Sequence, residues 1–85
     1  MISITVKLFA SLRERLSHQD FIWEMEAPRT VSDVTISLSQ DKGCHWLDIL
    51  NESNVIVAVN QTIVDRLYEL QDGDELAFFP PVTGG

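Results

Sequence analysis

The first strand is the clearest pattern in the chain, because apolar and polar residues alternate without a break from Ile2 to Leu8. This period of two predicts a strand with one buried face. The apolar side consists of Ile2, Ile4, Val6 and Leu8. A turn or brief helix over residues 10–16 then leads to a second strand over Phe21 to Glu26, with Trp23 and Met25 on one face. Two strands with so short a connection predict a hairpin.

A helix is predicted over about residues 31–40. Thr30 followed by Asp33 resembles the capping box that begins helices, and apolar residues then recur at helical spacing. Those residues are Val31, Val34 and Leu38. Intrinsic propensity opposes the helix, because β-branched residues and serines fill much of the segment. Gly43 would end it, and Cys44 to Leu50 would add a short helical turn carrying Trp46.

The C-terminal half predicts two strands joined by a turn. Val55 to Val59 is a continuous apolar run, typical of a central strand buried on both faces. Asn60-Gln61 would form the turn, since asparagine tolerates the left-handed conformation, and Thr62 to Val64 would begin the returning strand. We expect the following loop to be packed by Leu67, Tyr68 and Leu70.

A last strand is predicted over Glu75 to Phe79, after the turn signal Asp72-Gly73. Its alternation places Leu76 and Phe78 in the core and leaves Phe79 exposed on the other face. An exposed phenylalanine there is either a partner anchor or an ordinary surface residue.

The order of elements is strand, strand, helix and then three strands. It predicts an α+β fold, with one mixed sheet and one main helix across one face. That arrangement is typical of the ubiquitin-like β-grasp. We assign residues 1–79 to this domain and residues 80–85 to an extended, flexible C-terminal tail.

The length and net charge of the chain limit the classes of function that it could have. An 85-residue chain has room for one small domain. The net charge of −7 disfavours binding to nucleic acid or an anionic membrane and favours partners with basic surfaces. No apolar run is long enough to cross a bilayer and no signal peptide is recognisable. The single cysteine, Cys44, agrees with a reducing compartment. We therefore expect a cytoplasmic protein.

The tail ends in Gly84-Gly85, and this pair suggests chemistry on a terminal carboxylate. Glycine has no Cβ, so such an end can enter a narrow channel, while Pro80 and Pro81 hold the base of the tail extended. A frayed terminus is the alternative. The rest of the chain offers no catalytic site. His18 and His45 lie far apart, so no metal site is predicted, and Cys44 is interpreted as a small semi-buried residue near Trp46.

Three segments carry a family resemblance. Residues 72–85 (DGDELAFFPPVTGG) closely resemble the C-terminal signature of the small subunit of molybdopterin synthase, a sulfur carrier. Val59-Asn60-Gln61 is similar to the central turn of that family, and Val6 to Ala10 with Leu12-Arg13-Glu14 is similar to its first strand and turn. The helix region departs from the alanine- and leucine-rich helix of the family.

The resemblance implies that the chain is a non-catalytic, sulfur-donating subunit. Gly85 would be adenylated by a ubiquitin-activator-like enzyme that uses ATP, and a sulfur donor protein would convert it to a thiocarboxylate. The large synthase subunit would then transfer the sulfur to a cyclic pyranopterin monophosphate in a heterotetramer. No cofactor would be bound to this chain. The resemblance gives the tail residues a threading role and three others a docking role. The threading residues are Gly84, Thr83, Val82, Pro81 and Pro80, and the docking residues are Phe79, Asp74 and Glu75.

Three alternatives remain open from the sequence. The first is a sulfur carrier for thiazole synthesis, although such carriers are usually shorter and lack the Phe78 to Pro81 block. The second is a ubiquitin-like modifier conjugated to lysines through Gly85. The third is a binding module whose tail is inert.

Overall fold

A computed structural model describes residues 1–9, 11–52 and 54–80. Seven strands and three helices lie within these ranges. In chain order they are β1 (Ile2–Leu8), α1 (Ser11–Leu16), β2 (Phe21–Met25), β3 (Arg29–Thr30), α2 (Val31–Lys42), α3 (Cys44–Leu50), β4 (Ile56–Val59), β5 (Thr62–Ile63), β6 (Glu69–Leu70) and β7 (Glu75–Phe79). Ala10, Ser53 and the tail from Pro81 onward lie outside the described residues.

Five strands form one mixed sheet in the order β2-β1-β7-β4-β5. β1 and β2 pair antiparallel, which confirms the predicted hairpin. β7 pairs parallel with β1 and antiparallel with β4, so the last strand of the chain lies at the centre of the sheet. The sequence placed β4 centrally. It is an interior strand, but β5 beside it is only two residues long, and β7 takes the centre.

The core lies between one face of this sheet and the helices. β1, β4 and β7 turn alternate side chains toward it, and α2 covers them with its buried stripe. The alternation predicted for β1 and β7 is confirmed, since Leu76 and Phe78 are fully buried. The largest fully buried side chains include Phe78, Ile4, Leu8, Leu12, Leu38, Leu50, Leu70 and Leu76.

Capping and burial explain why α2 forms against its propensity. The Thr30 side chain accepts a hydrogen bond from the Asp33 amide at 3.1 Å, as the sequence predicted. Four of its residues are buried: Val31, Val34, Thr35 and Leu38. The Thr35 hydroxyl donates a hydrogen bond to the Val31 carbonyl oxygen at 2.9 Å. Tertiary packing thus outweighs the β-branched residues, and the helix runs to Lys42 before Gly43 ends it.

The loop before β6 differs from the expectation. Leu67 is 77% exposed and Tyr68 is 41% exposed, so of the predicted packing residues only Leu70 is buried. The backbone makes the contact instead, because the carbonyl oxygens of Tyr68 and Arg66 accept hydrogen bonds from the first amides of α2. Leu70 belongs to β6, which pairs with β3 in a small second sheet that the sequence pattern did not reveal.

One bidentate ion pair joins α1 to the loop before β4. The two terminal guanidinium nitrogens of Arg15, Nη1 and Nη2, donate to the two Glu52 carboxylate oxygens at 3.0 and 2.7 Å. This hydrogen bonding lowers the pKa of Glu52 and raises that of Arg15. Burial lowers the pKa of Arg66, whose Nη2 donates to the Leu50 carbonyl oxygen at the end of α3.

Candidate functional site

The candidate site is the end of β7, where the chain passes into the Gly-Gly tail. β7 has a strand on each side: its pairing with β1 extends to Phe78, and its pairing with β4 extends to its last residue, Phe79. Phe79 pairs with Ile56 in the register of β4. Pro80 follows and is half-buried. Of the predicted threading residues, only Pro80 is described, and Pro81, Val82, Thr83, Gly84 and Gly85 lie outside the described residues.

The sheet face away from α2 carries an apolar surface beside Phe79. Ala58, which pairs with Ala77 of β7 on this face, is small and lies between larger neighbours. An open hollow of about 320 Å³ results. Its lining is almost wholly apolar and consists of Ile56, Ala58, Gln61, Ile63 and Phe79. We call these five residues together with Phe9 the tail-root face.

Phe9 and Phe79 stack at one edge of this face. Their ring centroids lie 4.5 Å apart and the ring planes differ by 11°. The backbone supports the contact, because the Phe9 amide donates to the Phe78 carbonyl oxygen at 3.3 Å. The sequence predicted an exposed Phe79. It is half-buried instead, since the Phe9 ring covers one side of it.

The other end of the face is strongly exposed. Ile63, on the two-residue edge strand β5, is 73% exposed although it belongs to the apolar lining. Ile56 and Phe79 are half-buried, and accessible apolar side chains grouped around a hollow are typical of protein interaction sites. The tail-root face therefore has the character of a docking surface.

The predicted docking acids lie elsewhere. Glu75 is the first residue of β7, roughly 13 Å along the strand from Phe79, and Asp74 comes directly before it. Both carboxylate oxygens of Asp74 accept hydrogen bonds within the chain, one from Asn60 Nδ2 at 2.9 Å and one from the Gln71 amide at 2.8 Å. Glu75 forms an ion pair with Lys7 at 3.2 Å. The structure does not bring these acids together with Phe79, and their docking role stays a prediction.

Asn60 connects the β4–β5 turn to the start of β7. Its side-chain oxygen accepts a hydrogen bond from the Glu75 backbone amide at 3.0 Å. Its backbone amide donates a hydrogen bond to the Glu75 carbonyl oxygen at 2.9 Å. Asn60 and Gln61 both have positive φ, 51° and 70°, which confirms the turn and fits asparagine's tolerance of this region. This network fixes the central strand at the end opposite the tail.

The remaining candidates are separate from this site. His18 packs edge-on against Phe21 and Trp46, at 4.9 and 5.4 Å between ring centroids. The Lys42 ammonium lies over the same two rings. Cys44 is exposed, so its interpretation as semi-buried was wrong: it begins α3 on the solvent side. In residues 1–9, 11–52 and 54–80, no group of three or more His, Cys, Asp or Glu side chains could hold a metal ion.

Sequence reasoning missed most of the tail-root face. Phe9 continues the polar side of β1, so its position on the uncovered face was available from the alternation alone. The sequence did not place Ile56 and Ala58 on this face, because a continuous apolar run does not show which of its two faces a helix covers. Ile63 could be placed on this face only from the pairing of β5 with β4, in which it lies opposite Ala58.

Comparison with known proteins agrees with this geometry. A model of the ThiS family matches residues 6–85. The chain belongs to that family. A relative in the family, the molybdopterin synthase sulfur carrier subunit of Haemophilus influenzae, is 39% identical over 82 residues, which cover 96% of this chain and 99% of the relative. The resemblance to the sulfur carriers that the sequence showed is therefore confirmed at the level of the family.

Two solved structures share the fold over nearly the whole chain. The H. volcanii small archaeal modifier protein 1 superposes with a TM-score of 0.78 at 25% identity, covering 96% of this chain and 100% of that protein. A molybdopterin converting factor subunit 1 from Pyrococcus furiosus gives a TM-score of 0.76 at 25% identity, with the same coverage of both chains. These likenesses confirm the predicted ubiquitin-like β-grasp. Within the described ranges, no helix is both long and apolar enough to cross a bilayer.

Proposed function

We propose that this chain is the sulfur carrier subunit of a molybdopterin synthase. The observation that carries the proposal is the position of the residue before the tail: Phe79 ends the central strand of the sheet and lines an open apolar hollow, and the chain continues from it to Gly84-Gly85. A partner that docks on this face would receive the tail at its own active site. The Haemophilus influenzae relative, which bears the name of such a subunit, supports the proposal.

The chemistry takes place on the carboxylate of Gly85. An ionised carboxylate is a poor acyl donor until one of its oxygens becomes part of a good leaving group. Attack of this carboxylate on ATP gives an acyl-adenylate and pyrophosphate. A persulfide on a donor protein then displaces AMP and gives an acyl disulfide. Attack of a second thiol on the donor's own sulfur atom releases the thiocarboxylate and leaves a disulfide on the donor side. Gly84 and the residues before it would let the end enter both active sites, because glycine has no Cβ to obstruct it.

The partners supply the catalytic groups and the binding site for the pterin. In the large synthase subunit, the thiocarboxylate sulfur would attack a carbon of the cyclic pyranopterin monophosphate and displace an oxygen leaving group from it. Hydrolysis of the resulting thioester would leave the sulfur on the substrate as a thiol and return the Gly85 carboxylate. That substrate is an anion, so its pocket should be basic. The net charge of −7 on this chain is complementary to such a partner. We place these steps in the cytoplasm, in an assembly of two small and two large subunits.

Most of the docking energy would come from the tail-root face, and the charged residues would mainly affect the association rate. Phe79 and Ile63 offer apolar area next to the hollow, whereas Glu75 is already paired with Lys7. Apolar anchors in a central pocket carry most of the energy of a typical interface, and charged residues at the rim mainly affect the association rate. Asp74 and Glu75 would therefore steer the approach of a basic partner.

Intact-mass analysis tests the proposal directly. The purified protein is incubated with the adenylating enzyme, ATP and a sulfur donor, and then with the large subunit and the pterin substrate. We expect one oxygen to be replaced by sulfur in the first step and restored in the second. The control lacks Gly85 and should fold equally well by thermal melting yet gain no sulfur. Sulfur transfer by this control, or no mass change in the full-length protein, would refute the proposal.

A second candidate function is supported by the likeness to the H. volcanii modifier protein. In that case the acyl-adenylate would be attacked by a lysine amine of a target protein, giving an amide and AMP. The same mass measurement separates the two functions, because a modifier yields lysine-linked adducts instead of a thiocarboxylate. A carrier for thiazole synthesis would gain sulfur as well, but it would not return it to the pterin substrate.

A further inference from the structure

Phe9 is held in place by its backbone on both sides. Its amide donates to the Phe78 carbonyl oxygen at 3.3 Å, and its own carbonyl oxygen accepts from the Leu12 amide at 3.1 Å. The first bond extends the pairing of β1 with β7, and the second belongs to the beginning of α1. Phe9 is therefore a fixed point between a central strand and a helix, one residue beyond the end of β1.

The Phe9 ring packs against Phe79, the last residue of the strand that leads into the tail. It stacks on Phe79 with a centroid distance of 4.5 Å, and Phe79 pairs with Ile56 of β4 on its other side. Pro80 comes next, and a proline both fixes its own φ and restricts the preceding residue to extended conformations. The stack and the proline together limit the directions in which the chain can leave the sheet.

A small change of direction at Phe79 matters at the far end. Five residues follow Pro80, and at about 3.3 to 3.6 Å per residue they can reach at most roughly 18 Å. A tilt of about 10° at the base would then move the terminal carboxylate by about 3 Å. Misplacement of a reacting group by about 1 Å can cost on the order of 100-fold in rate.

We propose that Phe9 is a positioning residue that acts through Phe79 to aim the terminal carboxylate, beyond any area it offers to a docking partner. The inference rests on the proposed function, in which the carboxylate must reach an active site on another protein. A residue that only adds contact area would change the affinity for that protein. A residue that aims the tail changes the rate of transfer once the complex has formed.

The test compares Phe9→Leu with Phe9→Tyr. Leucine keeps apolar volume and removes the stack, whereas tyrosine keeps the ring. Sulfur transfer from the thiocarboxylated protein is followed in single turnovers over a range of large-subunit concentrations. We expect Phe9→Leu to lower the rate at saturation about threefold to tenfold, in line with the strength of an aromatic pair, with half-saturation changed less than twofold. Phe9→Tyr should keep the saturating rate of the wild type. In a protein that already carries Phe79→Leu, the additional Phe9→Leu substitution should lower the rate no further.

A second measurement does not depend on sulfur transfer. In the isolated protein, the NMR order parameter of the Phe79 amide should fall from the rigid value of about 0.85 to below about 0.7 in Phe9→Leu, while that of Ala77 stays unchanged. An unchanged order parameter at Phe79 would overturn the proposal even if the chain has another function. An effect on half-saturation alone would overturn it too, by assigning Phe9 to docking. Absence of transfer by the wild-type protein would refute the proposed function and leave the order parameter to decide the role of Phe9.

Discussion

Ile63 provides the cleanest test of the tail-root face, because it is exposed and its replacement should not disturb the fold. It lies on the edge strand β5, with 73% of its surface accessible. Ile22 is a matched control, since it lies on the opposite edge strand β2, is 62% exposed and points to the same side of the sheet. The two residues differ in their neighbours: Ile63 lines the hollow together with Phe79, whereas Ile22 pairs with Thr5 on the far side of β1.

The magnitude follows from the exposed area. Complete burial of an isoleucine side chain stabilises by about 1.5–3 kcal/mol, and about three quarters of the Ile63 surface remains to be buried by a partner. Truncation in Ile63→Ala should therefore cost about 1–2 kcal/mol of binding free energy, which is roughly a fivefold to thirtyfold rise in Kd. Ile22→Ala should leave Kd within about twofold of the wild type.

Calorimetric titration with the large subunit measures both values, and thermal melting checks that each variant is folded. Substitutions at exposed positions usually change the free energy of unfolding by less than about 0.5 kcal/mol, so neither melting temperature should move far. Equal effects of the two substitutions on Kd would refute the placement of the docking surface. A large loss of stability in Ile63→Ala would show that β5 depends on this side chain.

Two further predictions concern stability. Asn60→Ala should destabilise the domain by about 2–3 kcal/mol, because it removes two side-chain hydrogen bonds and places alanine at a φ of 51°; Asn60→Gly, which tolerates that φ, should cost about 1 kcal/mol less in chemical denaturation, and equal losses would contradict the reasoning. Glu52→Gln should reduce stability only at pH values where Glu52 is ionised. The folded-state pKa of Glu52 is lowered by Arg15, so this contribution is present above the ordinary glutamate pKa of about 4.3 and is lost as the pH falls through the lowered value. A difference in melting temperature that persists at about pH 2 would count against it.

Local patterns predicted most of the elements in this fold. The strict alternation of β1 and the Thr30 cap of α2 each depend on neighbouring residues, and both were confirmed. The pairing of β3 with β6 was not foreseen, because two-residue strands have no periodicity to detect. The central place of β7 also depends on long-range pairing, which a single sequence does not state.

The candidate site was predicted less completely for a related reason. Phe79 was identified from its strand, but its stacking on Phe9 joins residues that lie 70 positions apart. The acids Asp74 and Glu75 were grouped with Phe79 because they are close in sequence. A strand separates its two ends in space by about 3.3 Å per residue, so Glu75 lies roughly 13 Å along β7 from Phe79 although the two are close in sequence.

The central place of β7 connects the fold to the proposed chemistry. A strand at the edge of a sheet is paired on one side only, whereas β7 is paired on both, with β1 and with β4. Its two ends are also held by side chains, Asn60 at the start and Phe9 at the finish. Aiming a reactive end requires a rigid base, and entry into a partner's channel requires small residues at the tip. The chain meets these opposite requirements in sequence, first with a strand that the sheet holds from both sides and then with Gly84-Gly85. It follows that substitutions at the base of the tail should alter the rate of transfer, while substitutions at the tip should decide whether transfer occurs at all.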